Sequence, residues 1–276
     1  MNKITVAAIQ TVSSTKVEDN LKNVTKLIVE ASKQAQWVVL PEYWILMGQN
    51  DSDKCLYAES FGNGEIQSHL SNLAKEHNIT LFAGTIPLRT NNHNKVYNSL
   101  LVFAPDGKCI SRYDKIHLFG YSGVGERYNE ADTIEAGTTI PSLIHQDWNI
   151  GQGICYDIRF PNFFIAQGIF DVLILPAAFT YTTGKDHWEI LLRARAIENQ
   201  CYLIAAAQGG NHENGRQTYG HSMIIDPWGK IICQANMGES IITANIDKTR
   251  INSVRRHLPS VFLLNNRDSC KTRHSE

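Results

Sequence analysis

Apolar stretches of two kinds alternate along the first part of the chain. Residues 4–10 form a short apolar run typical of a strand, and apolar residues at helical spacing predict an amphipathic helix over roughly 19–35. A continuous apolar run at 38–40 is typical of a buried strand. A second helix is predicted over 66–77 and a third strand over 80–84. This order of elements indicates an α/β or α+β fold.

The second half of the chain repeats the order of the first half. Residues 99–104 and 108–111 flank Pro-Asp-Gly, which predicts a hairpin. Three later segments resemble earlier ones: 172–176 resembles 38–41, 203–207 stands where 81–84 stood, and 223–230 resembles 101–108. Two such halves predict a four-layer αββα sandwich, in which two mixed sheets stack and helices cover their outer faces. The alternative is that similar turn sequences recur by chance.

A helix predicted over 187–200 is apolar around most of its circumference. Asp186, followed three residues later by Glu189, is typical of a capping box at its start. Arg193 and Arg195 interrupt the apolar surface, and Glu189 has the spacing to pair with Arg193. A helix that is apolar nearly all round lies inside a large domain or under a partner subunit. We therefore expect a homodimer or a higher homo-oligomer.

Length and charge narrow the class of protein. The chain has 276 residues, 43% hydrophobic and 19% charged, so it can form one large core or two similar halves. Its formal net charge is -1 and it has no basic block, so nucleic acid is not an expected partner. No apolar run reaches about 18 residues, and residues 1–3 lead directly into a segment typical of a strand, so we expect neither a membrane span nor a signal peptide. We expect a cytoplasmic protein that has no membrane partner.

The cysteines and histidines show no disulfide or metal-binding pattern. The six cysteines are Cys55, Cys109, Cys155, Cys201, Cys233 and Cys270. They lie far apart without a CxxC pair, so we interpret them as free thiols. The sequence has neither HExxH nor His-x-His, and no GxGxxG follows the first two strands. We therefore predict no metal site and no cofactor.

Cys155 occupies a position suited to a nucleophile. Apolar residues alternate with polar residues and glycines over 148–154, which fits a strand that another group approaches closely. Cys155 follows this strand, and Pro161 suits the first turn of a helix after it. Backbone N–H groups at such a junction can stabilise a thiolate or an oxyanion. The alternative is a buried cysteine that packs as a small apolar residue.

Two charged residues also follow apolar strands, and with Cys155 they supply the groups for thiol-dependent acyl transfer. Glu42 would take the thiol proton and later activate water, while Lys115 and the N–H of Tyr156 would stabilise the oxyanion. A second carboxylate such as Glu130 would raise the pKa of this base. Taken singly, Glu42 could be a solvated strand end and Lys115 an ordinary surface charge.

Three blocks of sequence resemble the signature motifs of the nitrilase superfamily of carbon–nitrogen hydrolases. They are Leu-Pro-Glu at 40–42, Tyr-Asp-Lys-Ile-His-Leu at 113–118 and Gly-Ile-Cys-Tyr-Asp-Ile-Arg-Phe-Pro at 153–161. The resemblance extends from residue 4 to about residue 263. It implies a Glu–Lys–Cys triad at Glu42, Lys115 and Cys155, in one hydrolase domain spanning 1–276. It also implies the four-layer αββα fold, in which helices beside the site pair subunits.

The resemblance assigns further residues around the site. Glu130 matches the second glutamate of the superfamily, which positions the substrate or the lysine. Residues 119–126 lack the common Asp-x-x-x-Pro-Gly, so the conformation of the loop 119–127 is left open.

Several blocks after residue 177 resemble the amidase branch that contains deaminated glutathione amidases and omega-amidases. That similarity implies that Arg159 and Thr183 hold the carboxylate and ketone of a 2-oxoglutaryl group, and that Tyr43 and Phe179 shape the pocket. A guanidinium can grip a carboxylate through two hydrogen bonds. The alternative for Arg159 is an ordinary ion pair with Asp157 or a contact with a helix end.

The leading hypothesis is therefore a thiol-dependent amidase whose small-molecule substrate is a linear amide. Deaminated glutathione is the first candidate substrate, and 2-oxoglutaramate, cleaved by an omega-amidase, is the alternative. An N-carbamoyl amidohydrolase would share the same chemistry. A true nitrilase is disfavoured, because nitrilases usually have Cys-Trp-Glu where this chain has Cys-Tyr-Asp at 155–157. A catalytically idle binding module would be expected to lose Glu42, Lys115 or Cys155, and all three are present.

Overall fold

Two six-stranded mixed sheets lie face to face in the computed structural model, which describes residues 2–123 and 126–264. The strands in chain order are β1 (Lys3–Gln10), β2 (Trp37–Val39), β3 (Thr80–Arg89), β4 (Val96–Phe103), β5 (Cys109–Asp114), β6 (Gly120–Gly123), β7 (Glu126–Asn129), β8 (Leu143–His145), β9 (Trp148–Gln152), β10 (Val172–Ala177), β11 (Tyr202–Ala207), β12 (Gly209–Asn211), β13 (Gln217–Tyr219), β14 (Met223–Ile225), β15 (Ile231–Gln234) and β16 (Ser240–Asp247). The helices are α1 (Val17–Ser32), α2 (Glu65–Glu76), α3 (Pro161–Ile165), α4 (Tyr181–Asn199), α5 (Lys248–His257) and α6 (Ser260–Leu264).

The two sheets have matching topologies. The first has the order β16-β1-β2-β3-β4-β5 and the second the order β15-β14-β11-β10-β9-β8. Strands β1, β2 and β3 are parallel, as are β9, β10 and β11, and in each sheet an antiparallel pair follows. The paired segments that the sequence suggested, in β2 and β10, β3 and β11, and β4 and β14, occupy equivalent places. The internal repeat is therefore a repeat of structure.

Helices cover the outer faces of both sheets, which confirms the four-layer αββα sandwich. Val38 of β2 packs in an outer cluster with Ile28 of α1 and Leu70 of α2. Its neighbours Trp37 and Val39 point the other way, into the core between the sheets. A strand covered on both faces has to be apolar at every position, which explains the continuous run at 38–40. No helix among the described residues is long and apolar enough to cross a membrane.

Helix α4 begins earlier than the sequence predicted. It starts at Tyr181, and Thr180 is its N-cap, where the Thr180 hydroxyl accepts from the N–H of Thr183. The expected capping box at Asp186 and Glu189 is therefore wrong, because both residues lie inside the helix. The residues at 181–187 are polar or small, so the apolar pattern did not reveal this first turn and a half. The expected pair of Glu189 with Arg193 is present at 3.1 Å.

Two other predicted boundaries also shift. Strand β3 continues past Gly84 to Arg89, although a strand ending at Gly84 was expected. Gly84 has φ +57°, the register to β4 shifts between Phe82 and Thr85, and a Cβ at Gly84 would lie 2.1 Å from the Pro41 carbonyl oxygen. The glycine thus marks a bulge inside the strand rather than its end. Helix α1 covers Val17–Ser32 instead of 19–35.

The topology gathers the three motif blocks at one edge of the stacked sheets. Strand β5 is antiparallel to β4, which is antiparallel to β3, so β5 runs in the same direction as β2 and β3. Glu42 follows β2 and Lys115 follows β5 at this shared edge. Cys155 follows β9 of the second sheet. Ligand sites of parallel sheets lie outside these carboxyl ends.

Candidate active site

Lys115 is the centre of a buried cluster of charges. Its ammonium donates to Glu42 Oε1 at 2.8 Å and lies 2.9 and 2.8 Å from the two carboxylate oxygens of Glu130. Burial alone would lower the pKa of Lys115, but attraction to Glu130 and Glu42 outweighs it and holds that pKa well above its ordinary value. Lys115 is therefore a charged group whose own side chain is fully buried.

Glu42 has one carboxylate oxygen engaged and the other without a hydrogen-bond partner. Oε1 accepts from Lys115 and from Asn98 Nδ2, each at 2.8 Å. Oε2 is buried, and no described residue donates to it. Burial raises the pKa of Glu42, and Glu130 raises it further, against the lowering effects of Lys115 and of the Cys155 thiol. Glu42 is thus a carboxylate with a free oxygen and an increased tendency to accept a proton.

Glu130 differs from Glu42 in its partners. It begins the one-turn 3₁₀ segment Glu130–Asp132. The Tyr43 hydroxyl donates to its Oε1 and the N–H of Phe119 to its Oε2, both at 2.7 Å. Burial would raise the pKa of Glu130, but the Lys115 ammonium and these donors lower it below its ordinary value. The pKa values of the two glutamates that contact Lys115 are therefore shifted in opposite directions: that of Glu42 is raised and that of Glu130 is lowered.

Cys155 begins the one-turn segment Cys155–Arg159 just after β9. Its φ of +46° lies in the left-handed region, which is strained for a residue with a Cβ. Burial raises the pKa of the Cys155 thiol well above its ordinary value, and Glu42 raises it further, while Lys115 and the N–H of Ala178 act against this. The resting group is a thiol, so it needs a base to become a nucleophile.

The glycines before Cys155 make room for aromatic rings. A Cβ at Gly151 would lie 2.8 Å from the ring of Phe170, and one at Gly153 would lie 3.1 Å from the ring of Phe164. The prediction that another group closely approaches this strand is confirmed. The approaching groups are the buried rings of Phe170 and Phe164.

Asp157 fastens the turn that carries Cys155. One carboxylate oxygen accepts from the N–H of Ile154 at 2.8 Å and from the Tyr113 hydroxyl at 2.7 Å. The other accepts from the N–H of His117 at 3.1 Å and lies 2.7 Å from His117 Nδ1. Since Tyr113 and His117 flank Lys115, this buried carboxylate links two of the motif blocks directly.

A cavity of about 740 Å³, counted with its open mouth, lies above this cluster. Every sequence-predicted site residue except Lys115 lines it, and Lys115 lies behind, in contact with both glutamates. These lining residues are Glu42, Tyr43, Glu130, Cys155, Tyr156, Arg159, Phe179 and Thr183. The structure therefore brings together all nine residues that the sequence singled out, while their roles stay predictions.

Arg159 stands at one side of the cavity without a carboxylate partner in the described part of the chain. Its guanidinium lies 5.7 Å from the ring centre of Tyr156 and 5.4 Å from that of Phe179. Its Nη2 lies 3.2 Å from His187 Nδ1. The alternative of an ion pair with Asp157 is wrong, because Asp157 is occupied by the donors described above. Arg159 is free to bind an anion in the cavity.

Sequence reasoning missed several groups at the site. Asn98 of β4 contacts Glu42, and no motif marks it. Ala178, just after β10, donates its N–H to Cys155; it lies in a block that resembles the amidase branch, but no role was assigned to it. Lys54 and Arg216 also line the cavity. Arg216 lies between β12 and β13, a hairpin that the sequence analysis did not recognise. Among the described residues, no group of three or more His, Cys, Asp and Glu side chains could hold a metal ion.

The loop 119–127, left open by the sequence, is largely a hairpin. Strands β6 and β7 pair from Gly120 with Asn129 to Gly123 with Glu126. Val124 and Gly125 lie outside the described residues. The rings of Phe119 and Tyr128 from this hairpin line the cavity. The loop therefore forms one wall of the site.

Known proteins similar to this chain match it over most of its length. A deaminated glutathione amidase from Synechocystis sp. is 40% identical over 268 residues, which is 95% of this chain and 98% of that protein. Omega-amidase NIT2 from Xenopus tropicalis is 36% identical over 267 residues, which is 94% of each. The crystal structure of Nit3 from Saccharomyces cerevisiae, a member of branch 10 of the nitrilase superfamily, has a TM-score of 0.85 at 33% identity, covering 94% of this chain and 95% of that one.

The family comparison agrees with the motif blocks and with the fold. The carbon-nitrogen hydrolase model matches residues 5–256. The match includes every predicted site residue, and the superfamily resemblance inferred from three short blocks is confirmed. The chain belongs to the carbon-nitrogen hydrolase family.

Proposed function

We propose that the protein is an amidase in which Cys155 is the nucleophile, Glu42 the base and Lys115 the oxyanion cation. The observation that carries this proposal is the free, buried Oε2 of Glu42, on a carboxylate whose pKa is raised and on which the Cys155 thiol acts directly. Two carboxylates whose pKa values are pushed apart indicate which one exchanges protons. Glu130, with its lowered pKa, stays charged and keeps Lys115 in place.

The reaction proceeds in two halves on these groups. Glu42 takes the thiol proton as the sulfur attacks the amide carbon, and the negative charge on the carbonyl oxygen is stabilised by Lys115 and the N–H of Tyr156. Glu42 then gives its proton to the departing amine, which leaves a thioester on Cys155. In the second half Glu42 takes a proton from water, the hydroxyl attacks the thioester, and the released thiolate recovers that proton.

The acyl group is best explained as a 2-oxoglutaryl group. Both similar enzymes are named for amide hydrolysis, one of deaminated glutathione and one as an omega-amidase. Arg159, unpaired in the cavity wall, suits the carboxylate of such an acyl group, and the Thr183 hydroxyl beside it suits the ketone. We place deaminated glutathione first and 2-oxoglutaramate second.

The test measures 2-oxoglutarate released from deaminated glutathione and from 2-oxoglutaramate in parallel. Cys155→Ser is the blank, and Cys201→Ser, which changes a buried cysteine of the core beside β11, is the matched control. We expect turnover by the wild type and by Cys201→Ser, with no turnover by Cys155→Ser. Preference for 2-oxoglutaramate would instead make the protein an omega-amidase, and turnover of neither would reject the substrate assignment.

A second measurement separates an enzyme from an idle binding module. We expect iodoacetamide to modify Cys155 faster than Cys233 at neutral pH, and Glu42→Gln to remove that difference. Slow and equal labelling would favour the idle module. Hydrolysis of N-carbamoyl substrates, measured with Cys155→Ser as the blank, tests the alternative of an N-carbamoyl amidohydrolase. A cytoplasmic location stays a prediction, as does the arrangement of the chain as one domain.

A further inference from the structure

Lys54 is a cation in the cavity wall that the reaction above does not use. It lies in the one-turn 3₁₀ segment Asp53–Tyr57, and its ammonium donates to Thr133 Oγ1 at 3.0 Å and stands 5.6 Å from the ring centre of Tyr43. No carboxylate of residues 2–123 and 126–264 lies within ion-pair distance of it. Burial lowers the pKa of Lys54, which means that its charge is poorly solvated in the absence of an anion.

Arg216 lies in the same wall of the cavity as Lys54. Its guanidinium stands 5.4 Å from the ring centre of Tyr128 and pairs with Asp51. Asp51 and Glu130 both act electrostatically on Lys54, but Asp51 also pairs with Arg216 and Glu130 with Lys115. Neither carboxylate serves Lys54 alone, so the cationic wall formed by Lys54 and Arg216 can take a further anion.

A row of aromatic rings separates this cationic wall from Arg159. Arg159 stands over Tyr156, whose ring is 5.3 Å from that of Phe119, which in turn is 5.7 Å from that of Tyr128 beneath Arg216. An extended chain covers about 3.5 Å per residue, so a molecule of tripeptide size matches these two ring-to-ring steps. The cavity thus has a positive group at each end of an apolar floor, with Cys155 and Glu42 in its wall.

We propose that Lys54, together with Arg216, forms a second anion subsite that binds a carboxylate on the amine half of the substrate. The inference rests on the proposed function, in which Arg159 holds the carboxylate of the acyl half. The preferred substrate is then a dianion whose two carboxylates lie on either side of the scissile amide, as in a 2-oxoglutaryl dipeptide. An amide that releases ammonia leaves the second subsite empty and binds less strongly.

The experiment compares two substrates that differ only in the charge of the leaving half. One is the 2-oxoglutaryl dipeptide with a free C-terminal carboxylate, and the other is the same compound with a C-terminal carboxamide. We expect the wild type to prefer the free acid by about tenfold in kcat/KM, the effect of one charge-assisted hydrogen bond. Lys54→Met is expected to bring this ratio close to one, and Lys54→Arg to keep most of it.

Lys33→Met is the matched control, because it removes an exposed lysine at the C-terminal end of α1 that pairs with Glu30 outside the cavity. It should keep the wild-type ratio. A loss of activity through misfolding of Lys54→Met would lower both rates and leave their ratio unchanged, so the ratio reports charge recognition alone. An unchanged ratio in active Lys54→Met, or a wild type without preference, would overturn the proposal.

A binding measurement distinguishes failure of the subsite from failure of the proposed function. An N-glutaryl dipeptide and its C-terminal carboxamide are compared as protectors of Cys155 against iodoacetamide, which needs no turnover. Stronger protection by the free acid, lost in Lys54→Met, would support the subsite even if no 2-oxoglutaryl amide is hydrolysed. Equal protection by the two compounds would reject the subsite even if hydrolysis is observed.

Discussion

Two glutamates share Lys115, and their different neighbours give them different chemistry. Glu130 receives hydrogen bonds at both oxygens, from Tyr43 and from the N–H of Phe119, in addition to the ammonium. Glu42 receives them at Oε1 only, while Oε2 is buried without a donor among the described residues. Because hydrogen bonds to the charged form lower a carboxylate pKa and burial raises it, Glu130 is suited to stay charged and Glu42 to act as the proposed base.

Asn98 is a positioning residue whose effect is measurable in a pH profile. Its side-chain amide donates to Glu42 Oε1, which favours the charged carboxylate. Its backbone carbonyl oxygen accepts from the backbone N–H of Lys115. We expect Asn98→Leu to raise the pKa of Glu42 further. Since the base must be deprotonated, the acid limb of kcat/KM should move to higher pH, and kcat should fall by about tenfold.

Ser99→Ala is the matched control for Asn98→Leu. Ser99 is the next residue of β4 and donates to Asp114 instead of Glu42. Its loss is expected to lower stability without moving the acid limb. An acid limb that stays in place in Asn98→Leu would contradict the assignment of Glu42 as the base.

At the scale of single elements, the buried carboxylate of Asp157 stabilises the strained backbone conformation of Cys155 in the Cys155–Arg159 turn. Cys155 has a left-handed φ, which costs of order 1–3 kcal/mol unless the surroundings enforce it. Asp157 supplies that enforcement through four contacts, one of which lies within the turn and three of which reach the segment around Lys115. The turn and the lysine segment are therefore placed relative to each other by the same group.

We expect Asp157→Asn to destabilise the protein and to lower kcat. In asparagine one carboxylate oxygen is replaced by an NH₂ group, which is itself a donor and cannot accept from the N–H or O–H groups that now donate to Asp157. Buried donors left without an acceptor cost about 1–3 kcal/mol each. Tyr113→Phe removes only one of the four contacts and should cost about 1 kcal/mol. Thermal unfolding and kcat of both variants check this expectation, which an Asp157→Asn no less stable than Tyr113→Phe would contradict.

At the scale of the whole molecule, the exposed side of α4 carries two isoleucines next to the ion pair of Glu189 with Arg193. Ile190 and Ile197, two helical turns apart, are 70% and 47% exposed, and Trp228 beside them is 56% exposed. The opposite face of α4, with Trp188 and Leu192, packs on the second sheet. An exposed apolar surface of this kind is typical of a protein interface, which agrees with the homo-oligomer expected from the helix pattern.

A double variant tests this interface. We predict that the wild type is a homo-oligomer formed through this surface, and that Ile190→Glu with Ile197→Glu makes it monomeric, because two charges would be buried against a second copy of the chain. Ile144→Glu is the control, since Ile144 is 72% exposed on β8 and lies in a different part of the second sheet. Analytical ultracentrifugation of the wild type, the double variant and Ile144→Glu measures the oligomeric state of each. A wild type that is already monomeric, or a double variant of unchanged size, would show that this surface is not the interface.

The sequence predicted the site residues better than it predicted the helix α4 that borders them. Glu42, Lys115 and Cys155 were recognisable because each lies in a short motif block that follows a strand, although β5 before Lys115 is largely polar rather than apolar as expected. The start of α4 at Tyr181 was missed because Thr180 caps a first turn of polar and small residues, which carry no apolar period. Asn98 was missed since its contact with Glu42 joins residues 56 positions apart that no local pattern connects.

The sequence by itself determined the order of most strands and helices, the internal repeat, the family and the candidate site residues, because these depend on local periodicity and on short motifs. Only the tertiary structure showed that the pKa values of Glu42 and Glu130 are shifted in opposite directions, since the pKa of each carboxylate depends on donors from other segments. It alone placed Lys54 and Arg216, 162 residues apart, in one wall of the cavity opposite Arg159. The spatial proximity of residues so far apart in the chain follows from how the two sheets stack and how the hairpins fold over them, and no single stretch of sequence encodes it.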